Sequence, residues 1–169
     1  MGRQQIKCRG DERRFEVLAE YIYSHFGRDV KYIADVAGGQ GLLSRILNKK
    51  YNYESEVIDP RGYVLKGVAS IQSEYSPDMA KFYDLIVGLH PDEATRAVVE
   101  SAVHRPILLV PCCNEWDKDQ KLGSRELIQS ILDYLDNEGI ANETVLFDFK
   151  KPKNVGIVTA AHPKPSSAG

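Results

Sequence analysis

The chain has few cysteines, no long apolar run and no excess of charge of one sign. Its three cysteines, two of them adjacent, are too few for the disulfide framework of a small secreted protein, so we expect a reducing cytoplasm. No apolar run approaches the roughly 20 residues that a membrane-spanning helix needs. Residues 1–5 have no apolar core of a signal peptide. A net charge of -2 argues against a protein that coats nucleic acid along its whole surface, but it permits a local basic face.

The sequence also has no internal repeat and no break in composition that marks a second domain. With 169 residues and 43% hydrophobic content, the chain can bury one sizeable core. We expect a single domain over residues 1–162. The remaining residues, 163–169, are rich in proline and serine, and we expect a disordered tail there.

Strand-like and helix-like segments alternate along the chain. The predicted elements are helix 12–26, strand 32–36, helix 41–49, strands 54–58, 68–71 and 83–89, helix 92–103, strand 106–110 and helix 124–136. Such alternation indicates parallel strands with right-handed crossovers. Two more strand-like runs, 143–149 and 155–161, are joined by a connection too short for a crossover helix, so they must be antiparallel.

A glycine-rich turn lies between the first predicted strand and the helix that follows it. The strand ends near Asp35, the turn contains Gly38, Gly39 and Gly41, and the next strand ends near Asp59. An α/β protein builds a nucleoside-cofactor cleft in this way, at the carboxyl ends of its strands.

The whole pattern resembles the class I S-adenosylmethionine-dependent methyltransferases, over nearly the whole chain. The first motif of that family is acid-x-Gly-x-Gly-x-Gly. It matches Asp35 to Gly41, with Ala37 in place of the first glycine. The resemblance implies an α/β, Rossmann-like three-layer sandwich. Its seven-stranded, mostly parallel sheet would have the order 3-2-1-4-5-7-6 and a C-terminal antiparallel hairpin.

The resemblance also implies S-adenosyl-L-methionine as the cofactor and a set of residues that bind it. In the family, the first acid orients the amino-acid end of the cofactor, the glycine turn lets the backbone approach it, and the acid after the second strand binds the ribose. Residues after the third strand are placed for the adenine. The implied cofactor-binding residues are Asp35, Ala37, Gly38, Gly39, Gln40, Gly41, Asp59, Gln72, Glu74, Gly88 and Leu89.

A nicotinamide dinucleotide is the competing cofactor. The segment from Gly39 to Ser44 almost fits Gly-x-Gly-x-x-Gly, and Asp59 lies at the right distance for a ribose acid. However, Asp35 would then place a carboxylate near a pyrophosphate, and the terminal hairpin is foreign to the dinucleotide fold. These two features favour S-adenosylmethionine.

The fourth predicted strand ends in Gly88-Leu89-His90-Pro91-Asp92, where this fold holds its methyl acceptor. The acid-or-asparagine, Pro-Pro and aromatic signature of nucleic-acid amino-methylating enzymes is missing. His90 is a candidate general base because its reference pKa near 6.5 suits proton removal at neutral pH. The alternative is a loop histidine with a structural hydrogen bond. Asp92 is expected to begin the next helix.

The fifth predicted strand is followed by Pro111-Cys112-Cys113. Cys112 is a candidate nucleophile, as in RNA cytosine-C5 methyltransferases, whose attacking cysteine follows this strand. Against this, the companion acid and the Pro-Cys pair of those enzymes are absent after the fourth strand, and the cysteines can simply be small residues at a strand end. Adjacent cysteines do not match the usual zinc-ligand spacing, so no metal site is predicted.

Basic residues cluster at the two ends of the predicted domain that meet at the cofactor edge of the sheet. They are Arg3, Lys7, Arg9, Arg13, Arg14, Lys150, Lys151 and Lys153. A basic rim favours an anionic acceptor, RNA first, although terminal charges are often only solvated. Few aromatic residues are candidates for stacking on bases: Tyr63, Tyr75 and Trp116. A small-molecule acceptor, and a non-catalytic cofactor-binding subunit that needs a partner, stay open.

Overall fold

The computed structural model describes residues 13–149 and 154–160. The helices are α1 (Arg13–Phe26), α2 (Leu42–Tyr51), α3 (Thr95–Glu100) and α4 (Ser124–Asn137). The strands are β1 (Tyr32–Val36), β2 (Glu54–Ile58), β3 (Ser70–Ile71), β4 (Leu85–Leu89), β5 (Ile107–Val110), β6 (Asn142–Leu146) and β7 (Val155–Thr159).

The strands form one seven-stranded sheet in the order β3-β2-β1-β4-β5-β7-β6. The pairs among β1 to β5 are parallel, whereas β7 is antiparallel to both β5 and β6. The predicted order and the terminal hairpin are therefore confirmed. The order reverses between β1 and β4, and their carboxyl ends define the crevice where α/β proteins bind ligands.

Helices cover both faces of the sheet, which gives the predicted three layers. Leu18 and Ile22 of α1 and Leu47 of α2 pack on one face, whereas Val98 of α3 and Ile131 of α4 pack on the other. Because parallel strands are buried on both faces, their sequences are nearly continuous apolar runs. Every residue of β1 after Tyr32 is buried, including the acid Asp35. Asp35 lies on the sheet face that α1 and α2 cover, because Ile33, two residues earlier, and Val87, its partner on β4, pack on that face.

Several predicted boundaries differ from the structure at the ends of strands and helices. The strand predicted at 68–71 is reduced to Ser70 and Ile71, because the Val68 N–H donates to Leu65 in a turn rather than to the ladder. The strand predicted from 83 begins at Leu85, since the N–H of Tyr83 closes a turn on Ala80. The helix predicted at 92–103 is an α-helix only over 95–100, with a 3-10 turn at each end. The strand predicted at 143–149 covers 142–146.

None of the helices within residues 13–149 and 154–160 has the length and apolar character that crossing a membrane requires. The predicted tail at 163–169, and most of the predicted basic residues, lie outside the described residues.

Candidate functional site

A cleft of about 420 Å³ opens at the carboxyl edge of the sheet. The ends of β1, β2 and β4, the segment after β3 and the first turns beyond β4 form its walls, so it lies at the reversal of strand order. The cleft is lined by Ala37, Ile58, Asp59, Pro60, Arg61, Glu74, Tyr75, Pro91, Asp92, Glu93, Ala94 and Ala97.

Asp35 is buried at the end of β1, beneath the glycine turn. One carboxylate oxygen accepts a hydrogen bond of 2.8 Å from the Ser44 hydroxyl of α2. Burial raises the pKa of Asp35 to about 6, although the hydrogen bonds from Ser44 lower it. A side chain at Gly38 would lie 2.6 Å from this carboxyl group, so the turn passes over Asp35 only because position 38 is glycine.

The turn itself uses left-handed backbone at Ala37 (φ +54°), Gly39 (φ +59°) and Gly41 (φ +83°). A Cβ atom at Gly41 would meet Val68 at 2.8 Å and Val57 at 3.0 Å, so packing against the following loop demands glycine there. The carbonyl oxygen of Gln40 accepts a hydrogen bond from the N–H of Leu65 in the same loop. The turn is thus a rigid strand-to-helix connection whose binding role stays a prediction.

Asp59 lines the cleft at the end of β2 and is the best-connected carboxylate of the site. Its side chain is 3% exposed and accepts hydrogen bonds from the Gly39 N–H (2.9 Å), the Arg61 N–H (2.9 Å) and the Arg61 guanidinium. Burial alone would raise the pKa of Asp59, but the hydrogen bonds from Arg61 and Gly39 outweigh it and the pKa is lowered. Asp59 is therefore an ionised acceptor that ties the glycine turn to the end of β2.

The other predicted cofactor residues divide between the cleft and its surroundings. Glu74 lines the cleft. Gln72 instead donates to the carbonyl oxygen of Pro60 and packs on Gly62, so it braces the loop after β2. Gly88 is buried against Pro91 and Val98, where a Cβ atom would meet Pro91 at 3.0 Å, and Leu89 is half-buried at the end of β4. Neither Gln72, Gly88 nor Leu89 is among the residues that line the cleft.

His90 lies in a strained loop directly after β4. Both His90 (φ +49°) and Asp92 (φ +50°) adopt left-handed backbone on either side of Pro91. Non-glycine residues in this conformation cost about 1–3 kcal/mol each and are frequent at functional sites. The N–H of His90 donates to the carbonyl oxygen of Val110 at 2.8 Å, which fixes the loop to the end of β5. His90 is half-buried and is not among the cleft-lining residues.

Cys112 and Cys113 meet Asp92 across the ends of β5 and β4. The Cys112 thiol donates to Asp92 Oδ1 at 3.1 Å. Burial, followed by this hydrogen bond, raises the pKa of the Cys112 thiol, which is the opposite of what activates a nucleophile. Asp92 was expected to begin a continuous helix, but it belongs to a separate 3-10 turn that precedes α3.

Two of the three candidate stacking residues have structural contacts. Trp116 is 6% exposed, and its indole N–H donates to the Ser130 hydroxyl while the Arg96 guanidinium lies 4.1 Å from its ring. The Tyr75 hydroxyl is hydrogen-bonded to the Ser101 hydroxyl at 2.6 Å, although Tyr75 also lines the cleft. Tyr63, at 62% exposure, lies on the surface.

Of the predicted basic rim, Arg13 and Arg14 lie within the described residues. The Arg13 guanidinium is 3.1 Å from the Asp148 carboxylate, beyond the end of β6. This contact confirms that the amino end of α1 lies beside the last hairpin. The Arg14 guanidinium lies 4.5 Å from the centre of the Phe15 ring. Charges on the cleft wall itself are mostly acidic: Asp59, Glu74, Asp92 and Glu93 against Arg61.

Two features of this site do not follow from the sequence. The first is the ion pair of Arg61 with Asp59. The sequence places an arginine two residues after the acid, but it does not show that the arginine side chain turns back toward the carboxylate. The second is the meeting of Asp92 with the cysteines, which depends on two loops 20 residues apart in the chain.

The comparisons with known proteins agree with this fold. No sequence-family model matches the chain, and no curated protein matches it in sequence. The plantazolicin methyltransferase BpumL, solved in complex with S-adenosylhomocysteine, has a TM-score of 0.59 at 15% identity, covering 89% of this chain and 86% of that one. A sugar N-methyltransferase from a Streptoalloteichus species has a TM-score of 0.57 at 14% identity, covering 94% of this chain and 96% of that one. An S-adenosylmethionine-dependent methyltransferase from Aquifex aeolicus has a TM-score of 0.55 at 18% identity, covering 90% of this chain and 93% of that one.

Likenesses at such low identity establish the fold alone. The chain therefore has the class I S-adenosylmethionine-dependent methyltransferase fold, as the resemblance implied.

Proposed function

We propose that this protein is an enzyme that binds S-adenosyl-L-methionine in the cleft and transfers its methyl group to an acceptor held above β4 and β5. The observation that carries the proposal is Asp59, a nearly fully buried, ionised carboxylate in a cleft built from strand ends at the reversal of strand order. The cleft volume lies within the range of about 300–1,000 Å³ that is usual for small-ligand sites.

The charges of the cleft fit this cofactor. S-adenosylmethionine carries a sulfonium and an ammonium cation, and the wall presents Asp59 and Glu74 with Asp35 beneath the turn. Apolar groups of Ile58, Ala94 and Ala97 would flank a ring. A dinucleotide would instead bring a pyrophosphate to a predominantly acidic wall, which is electrostatically unfavourable.

When bound, the cofactor would supply an electrophilic methyl group on its sulfonium. The residues of this chain would orient it and exclude water. Asp59 would accept hydrogen bonds from the ribose diol, and the rigid glycine turn would fix the amino-acid end. Since a methyl transfer needs an aligned nucleophile, positioning would supply most of the rate enhancement. His90, at the acceptor end, would take the proton of the acceptor.

For the acceptor, we propose RNA on the basis of the basic residues at the two ends of the domain. The contact of Arg13 with Asp148 supports the placement of these two ends side by side, because Asp148 precedes β7, whose first residues pair near the carboxyl end of β5. A second candidate is a neutral or cationic small molecule. The exposed carboxylates of Glu74, Asp92 and Glu93 around the cleft favour it, since they would repel a polyanion.

Calorimetric titration with S-adenosylhomocysteine and, separately, with NAD tests the cofactor. We expect micromolar binding of S-adenosylhomocysteine, lost in Asp59→Asn and retained in the matched variant Asp133→Asn, whose carboxylate is exposed on α4. Binding of NAD in its place would overturn the proposal. Binding of neither ligand would point to a partner-dependent or non-catalytic subunit.

Transfer of tritiated methyl groups into separated RNA, protein and metabolite fractions then tests the reaction. Label in RNA, removed by nuclease, would support the RNA acceptor. Label confined to small molecules would support the second candidate. Cofactor binding without transfer to any fraction would contradict the enzyme and favour the binding subunit.

A further inference from the structure

Three potential metal ligands converge beside the cleft on the ends of two adjacent strands. Asp92 follows β4, and Cys112 and Cys113 follow β5. The two Sγ atoms lie 3.5 Å apart, Cys112 Sγ lies 3.1 Å from Asp92 Oδ1, and Cys113 Sγ lies 3.9 Å from the same oxygen. One oxygen and two sulfurs thus form a compact triangle.

The dimensions of this triangle match one face of a tetrahedral zinc site. With Zn–S distances of about 2.3 Å, Zn–O distances of about 2.0 Å and tetrahedral angles, two sulfur ligands are about 3.8 Å apart and a sulfur and an oxygen about 3.5 Å. The observed S–S separation is 3.5 Å, and the two S–O separations, 3.1 and 3.9 Å, lie on either side of the tetrahedral value. Small side-chain rotations would therefore suffice to place three ligands on one cation.

We propose that Asp92, Cys112 and Cys113 bind a thiophilic divalent cation of the zinc type. Two thiolates and one carboxylate carry three negative charges, and sulfur ligands select zinc over magnesium or calcium. Three protein ligands leave a fourth position for solvent or another ligand, the arrangement typical of zinc sites that are not purely structural. Because Asp92 also lines the cleft, the cation would lie at its edge. The proposal is independent of which cofactor the cleft takes.

The sequence predicts no metal site here, because adjacent cysteines do not have the usual spacing of zinc ligands. The usual spacing applies to sites in which two ligands on one turn are completed by a second pair of ligands elsewhere in the chain. Here the third ligand comes instead from the loop after the neighbouring strand, and the parallel pairing of Leu89 with Val110 brings the two loops together.

Titration with Co²⁺ under a phosphine reductant tests the proposal, since Co²⁺ replaces zinc in tetrahedral sites and is visible spectroscopically. We expect one Co²⁺ per chain, with a thiolate-to-cobalt charge-transfer band in the ultraviolet and intense visible bands of tetrahedral coordination. Zn²⁺ should displace the cobalt and abolish the bands. The charge-transfer band should be about halved in Cys113→Ser. Loss of a group that only supports a ligand lowers metal affinity by about 10- to 100-fold, so loss of a ligand itself, in Cys113→Ser or Asp92→Asn, should lower the Co²⁺ affinity by no less.

The chain provides a matched control in its third cysteine. Cys8→Ser removes a thiol outside the proposed triad and should leave the band and the affinity unchanged. Circular dichroism and thermal unfolding of each variant establish that it is folded, and Cys112→Ser gives an independent variant should Cys113→Ser fail that check. Absence of a charge-transfer band in the folded wild type would overturn the proposal. A band that depends on Cys8, or that Cys113→Ser and Asp92→Asn leave intact, would overturn it equally.

Discussion

Arg61 holds both carboxylate oxygens of Asp59. Its Nε lies 3.0 Å from Oδ1 and its Nη2 lies 2.8 Å from Oδ2, a bidentate pair. The Asp59 side chain is 3% exposed, whereas that of Arg61 is 49% exposed. A half-exposed guanidinium therefore occupies the acceptor sites of the carboxylate that we assign to the ribose.

Because Arg61 and a ribose diol would compete for Asp59, we expect Arg61→Gln to strengthen binding of S-adenosylhomocysteine by about 3- to 10-fold, the equivalent of roughly 1 kcal/mol for a partly exposed ion pair. Calorimetric titration measures it. Arg28→Gln, at the opposite edge of the sheet, is the matched control and should bind as the wild type does. Weaker binding in Arg61→Gln would show that Arg61 contributes to the ligand site directly.

The buried carboxyl group of Asp35 predicts a specific pH dependence of stability. Its folded pKa of about 6 exceeds 3.8, the ordinary value of an aspartate carboxyl group. The folded state therefore binds more protons between these two pH values, and stability falls as pH rises from about 4 to about 6. We expect Asp35→Asn to match the wild type near pH 4 and to exceed it by about 2–3 kcal/mol at pH 7. Urea unfolding at both pH values measures this difference. Asp133→Asn, an exposed control, should show none.

Much of the fold was predictable from the sequence, because apolar runs buried on both faces and the short connection after residue 149 determine the parallel strands and the hairpin. The errors fall at β3 and at the ends of strands. Ser70 and Ile71 at the edge of the sheet are exposed, so no burial pattern marks where that strand begins. Hydrogen bonds of local turns, such as that of Tyr83 to Ala80, set the remaining boundaries.

The site was predictable only as far as its backbone motif. Asp59 lines the cleft at the end of β2, whereas Asp35 lies within the end of β1 beneath the glycine turn and is not among the cleft-lining residues; their role in binding a cofactor stays a prediction. Side-chain pairings could not be inferred, because they depend on direction and on loops from different strands. The Asp59–Arg61 pair is one example. Another example is the contact between Asp92 and Cys112, which depends on the left-handed backbone of Asp92, a conformation that the sequence does not predict for a residue other than glycine.

Ala37 is the departure from the family motif, and its φ of +54° places it in the left-handed region. The left-handed conformation costs an alanine about 1–2 kcal/mol of strain in the folded state. Glycine avoids this strain, but it lowers the free energy of unfolding by about 0.5–1 kcal/mol because its unfolded chain has more conformational entropy. We therefore expect Ala37→Gly to stabilise the fold by about 0.5–1 kcal/mol in urea unfolding. Asn52→Gly is the matched control at φ +61°, and its effect should be smaller because asparagine tolerates this region. Destabilisation by Ala37→Gly would mean that the packing of the Ala37 methyl group outweighs the strain.

His90 gives the sharpest separation between binding and chemistry. Asparagine tolerates left-handed backbone, so His90→Asn should keep the loop and its hydrogen bond to Val110 while removing the imidazole. We expect unchanged affinity for S-adenosylhomocysteine, since His90 is not among the cleft-lining residues, and a kcat about 10²- to 10⁴-fold lower. His104→Asn, before β5 at the other edge of the sheet, should alter neither quantity.

An unchanged kcat in His90→Asn would contradict the assignment of His90 as the general base, because the acceptor would then have to lose its proton to solvent or to another group. Loss of cofactor affinity together with kcat would instead show that the strained loop, not the imidazole, is what the site requires.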